Sequence, residues 1–183
     1  MVSREPAPGA ASPVGAARPA APAPGVASPA SSAGPAHPGP ERIGLPGAIR
    51  VALIEHARRE YPNEACGLIV GSAPPSERGT ALRFEATRNA AASPSRYEID
   101  ATELLRISLA VDDADEAIWG IVHSHVRSAA RPSPTDIGLA FYPDALYLLV
   151  SLADAEADPT TGQPGIRAWR IVGGQVFEVA LDD

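Results

Sequence analysis

The chain has 183 residues, a formal net charge of −7 and a mean hydropathy of −0.04. That length suits one catalytic domain with a tail better than two domains, and no basic stripe of the kind that nucleic-acid binders carry is visible. Its single cysteine excludes an intrachain disulfide, and no stretch approaches the ~20 apolar residues of a membrane span.

Residues 1–42 are dominated by Ala, Pro, Ser and Gly, and ten of the twenty prolines precede Glu41. Proline fixes its own φ and has no backbone donor, and there is almost no large apolar side chain here to bury. The segment is expected to be a disordered tail, dispensable for chemistry; a docking tail for a partner is the alternative. The N-terminus lacks the apolar core of a secretory signal. With the lone Cys66, this points to a reducing, cytoplasmic setting. All 15 basic residues are arginine, so the chain offers no lysine for modification.

From Ile43 the pattern becomes globular. Pro46 to Glu60 reads as an amphipathic helix, with Ile49, Leu53 and Ala57 on one face and Arg50, Arg58 and Arg59 free to face water. Pro62 supports its stop. Ala65 to Gly71 reads as a buried strand, and Thr80 to Arg88 and Arg96 to Ile99 as further strands. Asp100 followed by Glu103 resembles a capping box, opening a helix whose buried face carries Leu104, Ile107 and Val111. Ala117 to His125 is near-continuously apolar and reads as a central strand. Leu146 to Leu152 is another strand, and Asp158 to Gly165 a polar loop. Gly173-Gly174 marks a hairpin between strands at Arg167 to Val172 and Val176 to Leu181. The expected class is α/β, a mixed central β-sheet flanked by helices.

The informative segment is His123-Ser124-His125, followed after ten residues by Asp136. Histidines at i and i+2 of a strand share one face, about 6.6–6.8 Å apart, and can converge on one ion. Ser133-Pro134-Thr135-Asp136 reads as a helix N-terminus, with Ser as cap and Pro at the first position. A short loop can return Asp136 over the strand end. Two histidines and a carboxylate make a three-ligand catalytic zinc site with a fourth position open to water. Such a site lowers the pKa of its water to about 7 and still needs a base within reach. Glu64, just before an apolar strand, is the candidate base, and Ser133 can donate to a developing oxyanion.

Glu64, His123-Ser124-His125 and Ser133-x-x-Asp136 resemble the motif of the JAMM/MPN+ zinc metalloproteases: Glu, then His-Ser/Thr-His, seven residues, Ser, two residues, Asp. Asn63-Glu64-Ala65-Cys66-Gly67, the stretch Asn89 to Asp100 and Arg131-Pro132-Ser133-Pro134-Thr135-Asp136 are similar to the stand-alone bacterial members. The likeness covers residues 43–183. It implies an MPN/JAB-type fold with cytidine-deaminase-like layering and one Zn2+ held by His123, His125 and Asp136. Glu64 would be the general base and acid, and Ser133 would stabilise the tetrahedral intermediate. The family hydrolyses the amide bond after the C-terminal glycine of ubiquitin or ubiquitin-like proteins. The bacterial likeness implies a partner with a C-terminal Gly-Gly: a sulfur-carrier protein from which cysteine is released. A deubiquitinase-like isopeptidase and a non-catalytic scaffold are the alternatives. Nucleic acid and membrane are not expected partners. The loop Val126–Arg131 departs from the family by carrying Arg127 and Arg131.

Other chemistry-bearing residues have plainer readings. Cys66, in an apolar strand, is expected to be buried and inert rather than nucleophilic. His56 is expected to be solvated on its charged helix, His37 lies in the tail, and Trp119 reads as core. Asp112, Asp113, Asp115 and Glu116 read as a solvated helix end. Arg127 and Arg131 could meet an acidic partner, with a plain surface role the alternative.

Overall fold

The computed structural model describes residues 42–182. The expectations for the tail and for His37 fall outside them, except that Arg42 opens a strand. In chain order the elements are β1 (Arg42–Gly44), α1 (Gly47–Glu60), β2 (Cys66–Gly71), β3 (Ala81–Thr87), α2 (Ala101–Asp113), β4 (Ala117–His125), α3 (Pro134–Gly138), β5 (Leu146–Ser151), β6 (Gly165–Val172) and β7 (Gln175–Asp182). The strands form one seven-stranded sheet in the order β1-β7-β6-β5-β4-β2-β3. The pairs β4–β5 and β1–β7 are parallel and the others antiparallel. The expected mixed sheet flanked by helices is therefore what the chain forms.

Two apolar layers cover the sheet, and strand periodicity sorts residues between them. On one face Leu146, Leu148 and Val150 of β5 pack with Ile49, Leu53 and Ala57 of α1. On the other, Tyr147 and Leu149 pack with Ile107 and Val111 of α2. β2, β4 and β5 are buried on both faces, so apart from the polar ends of β4 and β5 they read as near-continuous apolar runs. The Gly173-Gly174 hairpin forms as its residues require: both glycines have positive φ, 57° and 78°, as a type I′ turn demands.

One irregularity sets the orientation of everything downstream in β4. Ile69 of β2 pairs with Gly120 and Val70 with Ile118, so Trp119 is an extra residue, a β-bulge. Trp119 packs into the α1-side layer, and a Cβ on Gly120 would meet Leu148 of that layer at 2.7 Å. Two successive residues thus face α1. Beyond them, Ile121 faces α2 and Val122 faces α1. Continuing this alternation puts His123 and His125 on the α2 side and Ser124 on the α1 side.

Four expectations change. Arg96 to Ile99 is not a strand; one bridge, Asn89 to Ile99, is all that forms. The Asn89 side chain takes the place of a ladder: its amide donates to the carbonyls of Glu64 and Arg96, and its oxygen accepts from the backbone of Ala91 and Glu98. Asp100 caps α2 as expected, accepting from Thr102 and Glu103. The reciprocal half of the box is absent, because the Glu103 carboxylate accepts instead from the Arg88 backbone N–H at 2.7 Å. His56 is buried, not solvated: it faces Phe84, lies 3.0 Å from the Cys66 carbonyl through Nε2, and has Arg59 at 2.9 Å from Nδ1. Its place seven residues beyond Ile49 keeps it on the inner face of α1. Within the acidic run, Glu116 is engaged by Arg83 at 2.7 Å.

Candidate active site

His123 and His125 end β4, which lies between β2 and β5. His123 is fully buried and His125 nearly so. Their Nε2 atoms are 3.2 Å apart. Asp136, in the first turn of α3, returns over the strand end: Oδ1 lies 3.5 Å from Nε2 of His123 and Oδ2 3.6 Å from Nε2 of His125. The three donor atoms lie within 4.8 Å of one another. The capping box missing from α2 is present at α3. Ser133 Oγ accepts from the Asp136 N–H, and the Asp136 carboxylate accepts from the Ser133 N–H at 2.7 Å. The cap itself therefore holds the carboxylate in place.

The donor set fits a tetrahedral zinc ion. Donors at Zn–N distances of ~2.0–2.1 Å lie about 3.3 Å apart around a tetrahedron, close to the separations seen here. His125 Nδ1 is 2.7 Å from the Ala129 carbonyl. It must carry the proton there, which leaves the Nε2 lone pair for a metal. Burial presses the Asp136 carboxyl upward in pKa, but the facing imidazoles of His123 and His125 outweigh it and hold the group far below the carboxylate range. Burial drives the His123 imidazole below its ordinary value, against Asp136. At His125 the effect of burial is overcome by Asp136 and the Ala129 carbonyl, and the pKa rises. The Tyr97 ring stacks on His123 with centroids 4.3 Å apart.

Glu64 lines the same cleft as His125, Ser133 and Asp136, a space of about 420 Å³ walled also by Tyr97, Arg96 and Arg127. Burial raises its carboxyl to about 7; the His125 charge opposes this and Asp136 adds to it. A carboxyl at that value can take or give a proton near neutral pH. Its backbone is tied down on each side. The Glu64 N–H donates to Ser93, its carbonyl accepts from Asn89, and the Ala65 N–H donates to Ser124 Oγ at 2.8 Å. Ser124, the residue between the two histidines, thus fastens the Glu64 segment to the histidine-bearing strand. All five residues singled out from the sequence, Glu64, His123, His125, Ser133 and Asp136, line this cleft or form its donor set.

The sequence reading missed three contributors. Asn89, Ser151 and Trp169 lie outside the motif yet hold its loops. Three successive carbonyls after His125 each receive a side-chain donor: Ser128 from Ser151 Oγ at 2.7 Å, Ala129 from His125, and Ala130 from Trp169 Nε1 at 2.9 Å. The Asn89-x₉-Ile99 stretch was the available signal, since a polar side chain that makes both donor and acceptor bonds can replace a strand pair. Asn89→Ala would strand four backbone groups, and is expected to lower stability by about 2–4 kcal/mol and to reduce kcat. Denaturant melts and turnover check this; a variant of unchanged stability removes Asn89 from the role. Cys66 is fully buried against Thr87, as expected, and burial pushes its thiol up to about 11, which disfavours the reactive thiolate.

Comparison with known proteins identifies the family. The model of the family described as prokaryotic homologs of the JAB domain matches residues 46–172. A CysO-cysteine peptidase of Mycobacterium tuberculosis H37Rv is 41% identical over 127 residues, covering 69% of this chain and 81% of the relative. A desampylase of Haloferax volcanii is 33% identical over 115 residues, covering 60% and 81%. The solution structure of protein DSY2949 from Desulfitobacterium hafniense superposes with a TM-score of 0.64 at 30% identity, covering 76% of this chain and 91% of that one. A protein of Salinibacter ruber shares the fold with a TM-score of 0.54 at 24% identity, covering 77% and 92%. The expected MPN/JAB-type fold is thereby met, and the chain belongs to the prokaryotic JAB-domain family, whose peptidase members make it a hydrolase.

Proposed function

We propose that the protein is a zinc metallopeptidase that hydrolyses the amide bond after the C-terminal glycine of a ubiquitin-like sulfur-carrier protein ending in Gly-Gly, releasing cysteine. The observation that carries this reading is the convergence of the His123, His125 and Asp136 donors with the buried Glu64 carboxyl on one cleft. The relatives named for a CysO-cysteine substrate and for desampylation support the substrate class. A zinc ion held there would polarise the scissile carbonyl and acidify a water.

The remaining chemistry belongs to this chain's residues. Glu64 takes the proton of the attacking water and delivers it to the departing amine, so one carboxyl acts as base and then as acid. Ser133 already accepts from the Asp136 N–H through Oγ, which leaves its hydroxyl proton for the developing oxyanion. The neutral Nδ1–H tautomer of His125 is set by Ala129, and Tyr97 shields His123 from water. A glycine tail suits a narrow cleft, since it threads without side chains and offers backbone groups for pairing. A buried single thiol suits the reducing cytoplasm. Intact-mass analysis of a sulfur-carrier protein ending in Gly-Gly-Cys tests the reading. Loss of one cysteine only while zinc is present supports it, and an unchanged mass with zinc bound refutes the substrate.

A further inference from the structure

The cleft carries a cation that the chemistry above does not use. Arg127 lines it, two residues after His125, and its side chain is exposed. Two residues of chain span at most about 7 Å, so the Arg127 Cα lies within that distance of the His125 Cα. Its backbone is placed by the loop whose carbonyls at 128, 129 and 130 are each bonded. The other arginines nearby are engaged. Arg131 stacks over the Trp169 ring, 5.6 Å from its centroid, and Arg96, which also lines the cleft, has Glu98 at 4.0 Å. Arg127 has no acidic partner among the described residues.

Besides Arg96, the cleft is lined by two acidic side chains, Glu64 and Asp136. In a chain of net charge −7 the long-range field repels a negatively charged substrate group. A guanidinium at the wall offsets that repulsion and recognises one group best: its planar fork matches a carboxylate with two parallel hydrogen bonds. In hydrolysis of the last peptide bond of a chain, the departing residue carries its α-carboxylate two bonds from the scissile nitrogen. In hydrolysis of a lysine isopeptide bond, the departing amine carries no carboxylate near the bond.

Resting on the peptidase reading, we propose that Arg127 is a specificity-determining residue that binds the free α-carboxylate of the departing residue. The enzyme is thereby an exopeptidase for single C-terminal residues and discriminates against lysine conjugates. Arg127 forms no bond in the reaction. Water adds to the glycine carbonyl, the C–N bond breaks, and the amine takes its proton from Glu64.

The test uses the zinc-loaded full chain and two forms of one carrier protein, ending in Gly-Gly-Cys as the free acid or as the C-terminal amide. The wild type is expected to prefer the acid by roughly 10- to 100-fold in kcat/KM, the range for hydrogen bonds to a charged group. Arg127→Gln is expected to bring the acid-to-amide ratio close to one, mainly through KM, and Arg127→Lys to restore part of it. Arg96→Gln is expected to keep the preference. Equal cleavage of acid and amide by the wild type overturns the inference and leaves the peptidase reading standing. So does loss of the preference in Arg96→Gln but not in Arg127→Gln. Cleavage of neither form, with zinc bound, overturns the peptidase reading itself.

Discussion

Glu64→Gln is expected to lower turnover by about 10²–10⁴-fold, the usual contribution of a positioned acid–base group, while the protein still binds one zinc. Gln keeps the size of the side chain and is not among the three donors. It cannot accept a proton and pass it on. Zinc content by elemental analysis and single-turnover rates check both halves, and retained turnover assigns the base elsewhere. The same substitution should strengthen the fold above neutral pH. The Glu64 carboxyl is raised from 4.5 to about 7 in the folded chain, so between those values the folded state binds more protons than the unfolded. The stability this protonated group contributes is full below pH 4.5 and is lost as pH rises through 7. Gln never ionises. Metal-free Glu64→Gln is therefore expected to exceed metal-free wild type in stability at pH 8 by on the order of 1–3 kcal/mol, and to differ little at pH 4.5. Thermal melts at the two pH values decide this; equal melting at pH 8 means that ionising Glu64 does not strain the fold.

His123→Ala is expected to lose both zinc and turnover. It removes one of three donors, and the two that remain, His125 and Asp136, cannot make the three-ligand arrangement of catalytic zinc. His123 is fully buried under Tyr97, so alanine also leaves a cavity. Asp136→Asn separates the two effects. Asp136 lies in the first turn of α3, where an amide of the same size leaves no cavity, and its oxygen can still accept from the Ser133 N–H and keep the cap. Both variants are expected to retain the circular dichroism of the sheet, to hold little zinc after dialysis and to turn over at background rate. Stoichiometric zinc in either variant would place the metal on other residues.

That both variants are expected to fail alike follows from how the site is encoded. The donors and the base were legible because their chemistry requires particular residue types at fixed offsets. Two imidazoles on one strand face and a carboxylate in a capped first turn leave a pattern that composition alone does not produce. The double-sided burial of β2, β4 and β5 was legible for a similar reason, as runs without polar interruption. β1 was not: three residues, Arg42–Gly44, are too short to show a period, and they form a strand only because β7 offers a parallel edge. His56 was misread because a helix face is assigned by its neighbours, and Arg58, Arg59 and Glu60 suggested water where the inner face in fact continues. The Arg96 to Ile99 stretch has strand composition, but Asn89 supplies from a side chain the bonds that a neighbouring strand would have made. The bulge at Trp119 was invisible, since an extra residue in an apolar strand looks like one more apolar residue.

The loop after His125 stores its shape elsewhere in the chain. Ser128 and Ala129 are exposed, and what holds them is their backbone oxygen, which every amino acid possesses. The identities that matter there sit at Ser151 and Trp169, on β5 and β6. The exposed side chains at 127, 128 and 129 are thus free to drift, altering what the cleft admits, without loosening the histidine beside them. The instruction for the loop's course is inherited at two distant positions under different constraints. A transplant of Val126–Arg131 into a relative carries its course along only if a hydroxyl at 151 and an indole at 169 are there to receive it.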